Sequence, residues 1–275
     1  MKTRMFKTLL TVALVGSLGA LSNSAVADFL PFSVTDPISS AVVATNIGKI
    51  NGSYQETVTF TSATTFATSL LWRGASFSDV TGTAIAGGPL NQINFGYGLY
   101  ATFMSTGTWS TSGSTTNFYF DPGAGNLALY IDPTNTDVFG DPVSLNPPFP
   151  NNGLTPWLIN TGGDDISLLD PAAVAFGNGT LTCSGSNNCG SFGVTTDSPL
   201  NAAGSAYFTA PVPFYSFALT SGNFNGFTPV VGASNYLTGV SNVVFVPEPE
   251  SLALLGIGLL GLAMSRRGRK QAQAC

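Results

Sequence analysis

The chain predicts an all-β body, either a β-sandwich or an irregular β-barrel, and three observations carry that expectation. Short runs rich in Thr, Val, Tyr and Phe recur between residues 28 and 245, and such residues suit a pleated, half-buried surface. Gly, Pro and Asn clusters cut these runs at short intervals, as turns between strands require. No long amphipathic period of about 3.6 residues interrupts them. Helices are therefore expected only at the two ends, an N-terminal signal helix and a short C-terminal hydrophobic helix.

The clearest strand covers residues 97–109, where Tyr97, Leu99, Ala101, Phe103 and Ser105 share one face and Tyr100, Thr102 and Met104 the other. Segments 117–120 and 127–131 follow, separated by Asp121-Pro122-Gly123-Ala124-Gly125-Asn126. That hexapeptide is expected to turn as a hairpin, making a three-stranded meander. Residues 54–61, 69–72, 180–183, 192–196, 206–209, 215–220 and 240–246 share this composition and are expected as further strands. Between 132 and 156 the texture changes, with Pro133, Pro142, Pro147, Pro148, Pro150 and Pro156 interleaved with Asp and Asn. This predicts a long loop that crosses one end of a single domain or, alternatively, separates two β units.

Charge excludes several functions. Seven of the nine basic residues lie near the termini, so only Lys49 and Arg73 stand against twelve acidic residues between 28 and 245, a formal charge of −10. Nucleic acid is not an expected partner, because phosphate contacts need clustered Lys and Arg. Anionic lipid surfaces are disfavoured for the same reason. An acidic surface rich in Ser, Thr, Asn and Gly suits hydrated polysaccharide outside the cell.

The chain has no histidine, which removes Ser-His-Asp and Cys-His machinery and histidine-bound zinc. Paired carboxylates remain as the catalytic option, because glycoside hydrolysis needs only two of them. They would come from Asp121, Asp132, Asp137, Asp141, Asp164, Asp165 and Asp170, all in turn-like stretches where aspartate commonly closes the backbone. No catalytic residue is therefore assigned. The same stretches hold the calcium candidates Asp137, Asp141, Asp164 and Asp165, since a hard cation takes carboxylate and carbonyl oxygens, although their spacing does not fit an EF-hand. No other cofactor is expected. Trp72, Trp109 and Trp157 could stack on sugar rings, with burial in the core as the competing assignment.

The two ends read as address labels. Lys2, Arg4 and Lys7 precede an apolar run, 9–21, and Ala25-Val26-Ala27 forms an A-x-A site for signal peptidase. Residues 1–27 are thus a signal peptide, with mature protein starting at Asp28. At the other end Pro247-Glu248-Pro249 is followed by an apolar run, 252–264, and by Arg266, Arg267, Arg269 and Lys270. The run falls short of the roughly 20 residues of a permanent span, and the basic cluster resists translocation. Only a transient inner-membrane association is expected. Between these labels lies the body, 28–245.

This tail, residues 246–270, resembles the PEP-CTERM sorting signal. The resemblance implies export across the inner membrane of a Gram-negative bacterium and recognition by exosortase, a membrane enzyme that processes such proteins near the Pro-Glu-Pro for delivery to the surface or matrix. The body, from Gly98 through Tyr119 to the Asp132-Pro133 turn, is similar in texture to PEP-CTERM proteins associated with flocculation. That similarity implies a non-enzymatic role in flocs or biofilm with extracellular polysaccharide. A carboxylate-dependent polysaccharide-modifying enzyme and a calcium-dependent glycan-binding lectin are the alternatives.

Cys183 and Cys189 enclose a small polar loop in an exported chain, where disulfides persist. The pair is expected to be joined, with stabilisation nearer roughly 2 than 4 kcal/mol because the loop is short. Intact mass with and without reductant should differ by two hydrogens, and free alkylation of both thiols in unreduced, folded protein would refute the bridge.

Overall fold

The computed structural model describes residues 31–37, 42–85, 93, 96–139, 158–159, 163–170, 174–182, 190–197, 200–211, 217–224 and 226–245. In chain order the strands are β1 Phe32–Thr35, β2 Val42–Phe60, β3 Thr65–Asp79, β4 Gly98–Ser112, β5 Thr115–Phe120, β6 Gly125–Asp132, β7 Val138–Phe139, β8 Leu158–Ile159, β9 Ile166–Ser167, β10 Val174–Leu181, β11 Gly190–Asp197, β12 Phe208–Ala210, β13 Phe217–Phe224 and β14 Ser234–Phe245. One six-residue helix, α1 Ala202–Tyr207, precedes β12.

Following β2 through β3, β4, β5, β10, β11, β13 and β14, each strand is antiparallel to the next, and β14 returns to β2. The result is an eight-stranded up-and-down barrel, the closed one of the two expected architectures. Closure matters because an open sheet would leave two rows of unpaired backbone groups. The seam runs from Ser234↔Thr59 to Val243↔Ile50 without a break in register. Strands before and after the proline-rich stretch belong to this one wall, and the short β7–β8 ladder pairs Val138 with Ile159 and Phe139 with Leu158 across it.

Two local expectations are corrected. Asp121-Pro122-Gly123-Ala124 does not turn a hairpin. Both β5 and β6 lie antiparallel to β4 along the same edge, Phe120 opposite Gly107 and Asn126 opposite Met104. They are one strand direction interrupted by an excursion, which Asp121 N closes on Thr106 O at 2.9 Å and Ala124 N closes on Asp121 O at 3.1 Å. β10 spans the interruption by pairing with both pieces. The true hairpin turn lies at Gly113-Ser114, where Gly113 adopts φ 62° between the partners Ser112 and Thr115.

The second correction concerns residues 206–209, expected as a strand, of which only Phe208 and Thr209 lie in one, β12. Ala206 and Tyr207 finish α1 instead. Asn201 caps it, its side chain accepting from Gly204 N at 2.9 Å and donating to Ser167 O at 2.7 Å, which starts the helix and ties it to β9. The β1 strand, which composition did not reveal, pairs with β12 and with the early part of β2.

Alternation sorts the wall residues. Leu99, Ala101 and Phe103 face the core while Tyr100 belongs to a separate cluster with Leu71, as the pattern in 97–109 predicts. Inside, one half of the barrel is filled by aromatic rings in edge contacts: Phe66 with Phe118 and Phe120, each at 5.5 Å, Phe103 with Phe120 at 5.5 Å, and Tyr54 with Phe192 at 5.2 Å. Eight strands leave an interior about wide enough for side chains to fill.

Trp72 fastens the seam. Its indole lies over Gly52 of β2, and its Nε1 donates to Ser241 O of β14 at 3.2 Å. A Cβ at position 52 would fall 2.3 Å from the indole nitrogen, so only glycine admits the ring. Gly52→Ala is expected to lose about 1–3 kcal/mol to overpacking, read as a lower urea midpoint with unchanged slope. Wild-type stability in that variant would refute this account of the seam.

Candidate functional site

One end of the barrel gathers the features that bear on function. Because β14 runs antiparallel to β2, its last residue, Phe245, lies where β2 starts, with β13 beginning alongside at Phe217. β3 finishes at this end at Asp79, β4 starts at Gly98 and β6 finishes at Asp132. The Pro247-Glu248-Pro249 segment begins two residues beyond Phe245, outside the described residues, so it is joined to the closing strand with almost no spacer. The basic residues Arg266, Arg267, Arg269 and Lys270, the leader with Ala25 and Ala27, Cys183, Cys189, Asp141 and Trp157 also lie outside them. Leu181 and Gly190, which flank the cysteine loop, are register partners in the β10–β11 hairpin. Among the described residues no helix is long and apolar enough to cross a membrane.

At the same end the fold collects aspartates that are distant in sequence. Asp132, 1 % exposed, closes its own turn: Oδ1 accepts from Thr134 N at 3.1 Å and Oδ2 from Asp137 N at 2.9 Å. Thr134 Oγ1 donates to Asp164 Oδ2 at 2.8 Å, joining this turn to the segment before β9. Asp165 lies beside the Asp137 carboxylate and the Tyr100 phenol. Burial, then the Asp137 charge, raises the Asp165 carboxyl to about 6. Burial followed by the Asp165 charge pushes the Tyr100 and Tyr130 phenols above their ordinary range, and the two rings stack at 5.1 Å.

Of the calcium candidates, the structure thus brings together Asp137, Asp164 and Asp165. Among the described residues no group of three or more His, Cys, Asp or Glu is arranged to hold a metal ion. Asp132 acts on the backbone of its own turn, whereas Asp121 Oδ2 accepts from the Thr106 hydroxyl at 2.9 Å beside the β5–β6 excursion. Asp170 is half-buried. Trp72 is fully buried in the core, and Trp109, half-buried, packs against that core: its Nε1 donates to Ser62 O at 3.2 Å and its ring meets Phe60 at 5.2 Å.

Sequence reasoning missed the most unusual carboxylate. Glu56 stands on the inward parity of β2, between Tyr54 and Val58, and is 6 % exposed. The alternation Tyr54-x-Glu56-x-Val58-x-Phe60 was the available signal. Its Oε1 accepts from Thr68 Oγ1 at 2.5 Å, beside a cavity of about 30 Å³ lined by Phe66, Phe118, Phe192, Phe227 and Leu237, room for about one water. Burial raises the carboxyl from 4.5 to about 7, against the opposing Thr68 hydrogen bond.

A folded-state value above the unfolded one means that Glu56 favours folding fully below about 4.5 and that this contribution is lost as pH rises through about 7. Wild type should lose up to about 3 kcal/mol relative to Glu56→Gln across that window. Parallel urea-denaturation curves against pH for the two proteins would refute the buried, protonated state.

No curated protein and no solved structure matches the chain. A model of the PEP-CTERM protein-sorting motif does match, over residues 245–269, covering the last residue of β14, the Pro-Glu-Pro segment, the apolar run and three arginines. The barrel therefore ends in a PEP-CTERM sorting motif, which makes this an exported bacterial protein destined for processing by exosortase.

Proposed function

We propose that this protein is a non-enzymatic surface or matrix component of a Gram-negative cell, contributing to flocculation or biofilm formation together with extracellular polysaccharide. The observation that carries the reading is the sorting motif at 245–269, attached directly to the strand that closes the barrel. The acidic body supports it, since a formal charge of −10 between 28 and 245 suits a hydrated exterior and not a nucleic acid or an anionic bilayer. The packed interior supports it too. Aromatic side chains fill much of the barrel interior among the described residues, as suits a structural wall.

Changing Pro247-Glu248-Pro249 to alanines should leave export intact and trap the protein at the inner membrane, because three helix-forming residues let the following apolar segment extend through the motif. Fractionation of wild type, the triple variant and a strain lacking exosortase reads this in one blot. Mutant protein reaching the matrix at wild-type size would overturn the sorting assignment. Deleting the gene should reduce floc or biofilm mass, and unchanged flocs would overturn the proposed role while leaving the sorting assignment intact.

A further inference from the structure

The outer wall carries a groove of about 380 Å³ at the end where the tail leaves, lined by Gly48 and Lys49 of β2, Asp79 at the end of β3, Thr220 of β13, and Asn242 and Val244 of β14. Its volume lies within the range of ligand sites, roughly 300–1,000 Å³. We propose that it seats the chain's own Pro247-Glu248-Pro249 segment, with the Glu248 carboxylate on the Lys49 ammonium.

Three observations commit the groove to this occupant. The first is charge. Lys49 is one of two cations in a body with twelve acids, it is half-buried in the wall, and among the described residues no ion pair engages it. Asp79 shares the groove, but Oδ1 of its carboxylate accepts from Thr81 N at 2.8 Å, Thr81 Oγ1 at 2.7 Å and Thr83 N at 2.9 Å, closing its own turn. The second is chain length. Asn242 and Val244 form part of the groove and Phe245 is the last strand residue, so Glu248 follows Val244 by four residues, a reach of at most about 14 Å. The third is shape and polarity. Two prolines hold φ and disfavour helix around Glu248, and Val80, 53 % exposed, with the buried Val244 at the base of the groove, gives the pyrrolidine rings an apolar wall.

The groove is assembled from β2, β3, β13 and β14, so it exists only once the seam has closed. Docking therefore ties the position of the sorting motif to completion of the barrel, an inference that rests on the sorting reading for its purpose but not for its chemistry.

The test uses the full exported chain, extracted in mild detergent from cells without exosortase. A zero-length carbodiimide should join Lys49 to Glu248, identified by peptide mapping, and Glu248→Gln should abolish that product. Without cross-linker, a glutamate-specific protease should cut after Glu248 roughly fivefold faster in Lys49→Glu than in wild type, the upper end for one exposed ion pair, while Lys49→Arg behaves as wild type. Lys49 joined only to Asp79, joined to a second copy in a band of twice the mass, or left unmodified would overturn the proposal, as would equal cleavage rates. Normal sorting of the alanine triple variant would remove the exosortase reading and leave these results standing.

Discussion

The contact of the Trp72 indole with Gly52 and Ser241 is the constraint on which the barrel depends. An eight-stranded wall has no edge only if its last strand finds its first, and β14 and β2 are separated by most of the chain. Loop closure over such a distance is entropically slow and gains nothing until the ladder forms. A single ring rooted in β3, crossing β2 and hydrogen-bonded to β14, holds three adjacent strands in one register. A one-residue slip of β14 would send Leu237 and Val243 outward and break this bond.

Closure also decides where the tail is displayed. The same register that pairs Val243 with Ile50 brings Phe245 to the end that holds α1, the aspartate cluster and the Lys49 groove. Six residues, 246–251, separate Phe245 from the apolar run, a reach of at most about 25 Å. A chain inserted by its tail would thus keep this end of the barrel close to the bilayer.

Burial governs the chemistry of the acids more than their partners do. Glu56 and Asp165 both have raised carboxyl values with desolvation as the leading cause. They differ in what surrounds them. Glu56 meets phenylalanine rings and one threonine hydroxyl, whereas Asp165 meets Asp137 and Tyr100. Asp79 is the counterexample: only half-buried and led by its hydrogen bond from the Thr81 hydroxyl, its carboxyl falls below the usual range.

The linear sequence by itself determined the address labels, the β class and the acidic body. These are local or compositional properties: a tripartite tail is read in order along the chain, and alternation in 97–109 sorts inward from outward residues without knowing what lies opposite. Tertiary structure alone decided which strands became neighbours. Whether Asp121-Pro122-Gly123 reverses the chain or merely interrupts it depends on whether β6 pairs with β5 or continues along β4, and the turn residues are compatible with both. The meeting of Asp132, Asp137, Asp164 and Asp165 likewise needed β6 and β9 to be paired, and the burial of Glu56 needed a closed wall around it. Each is a consequence of long-range register, which no short stretch of sequence encodes.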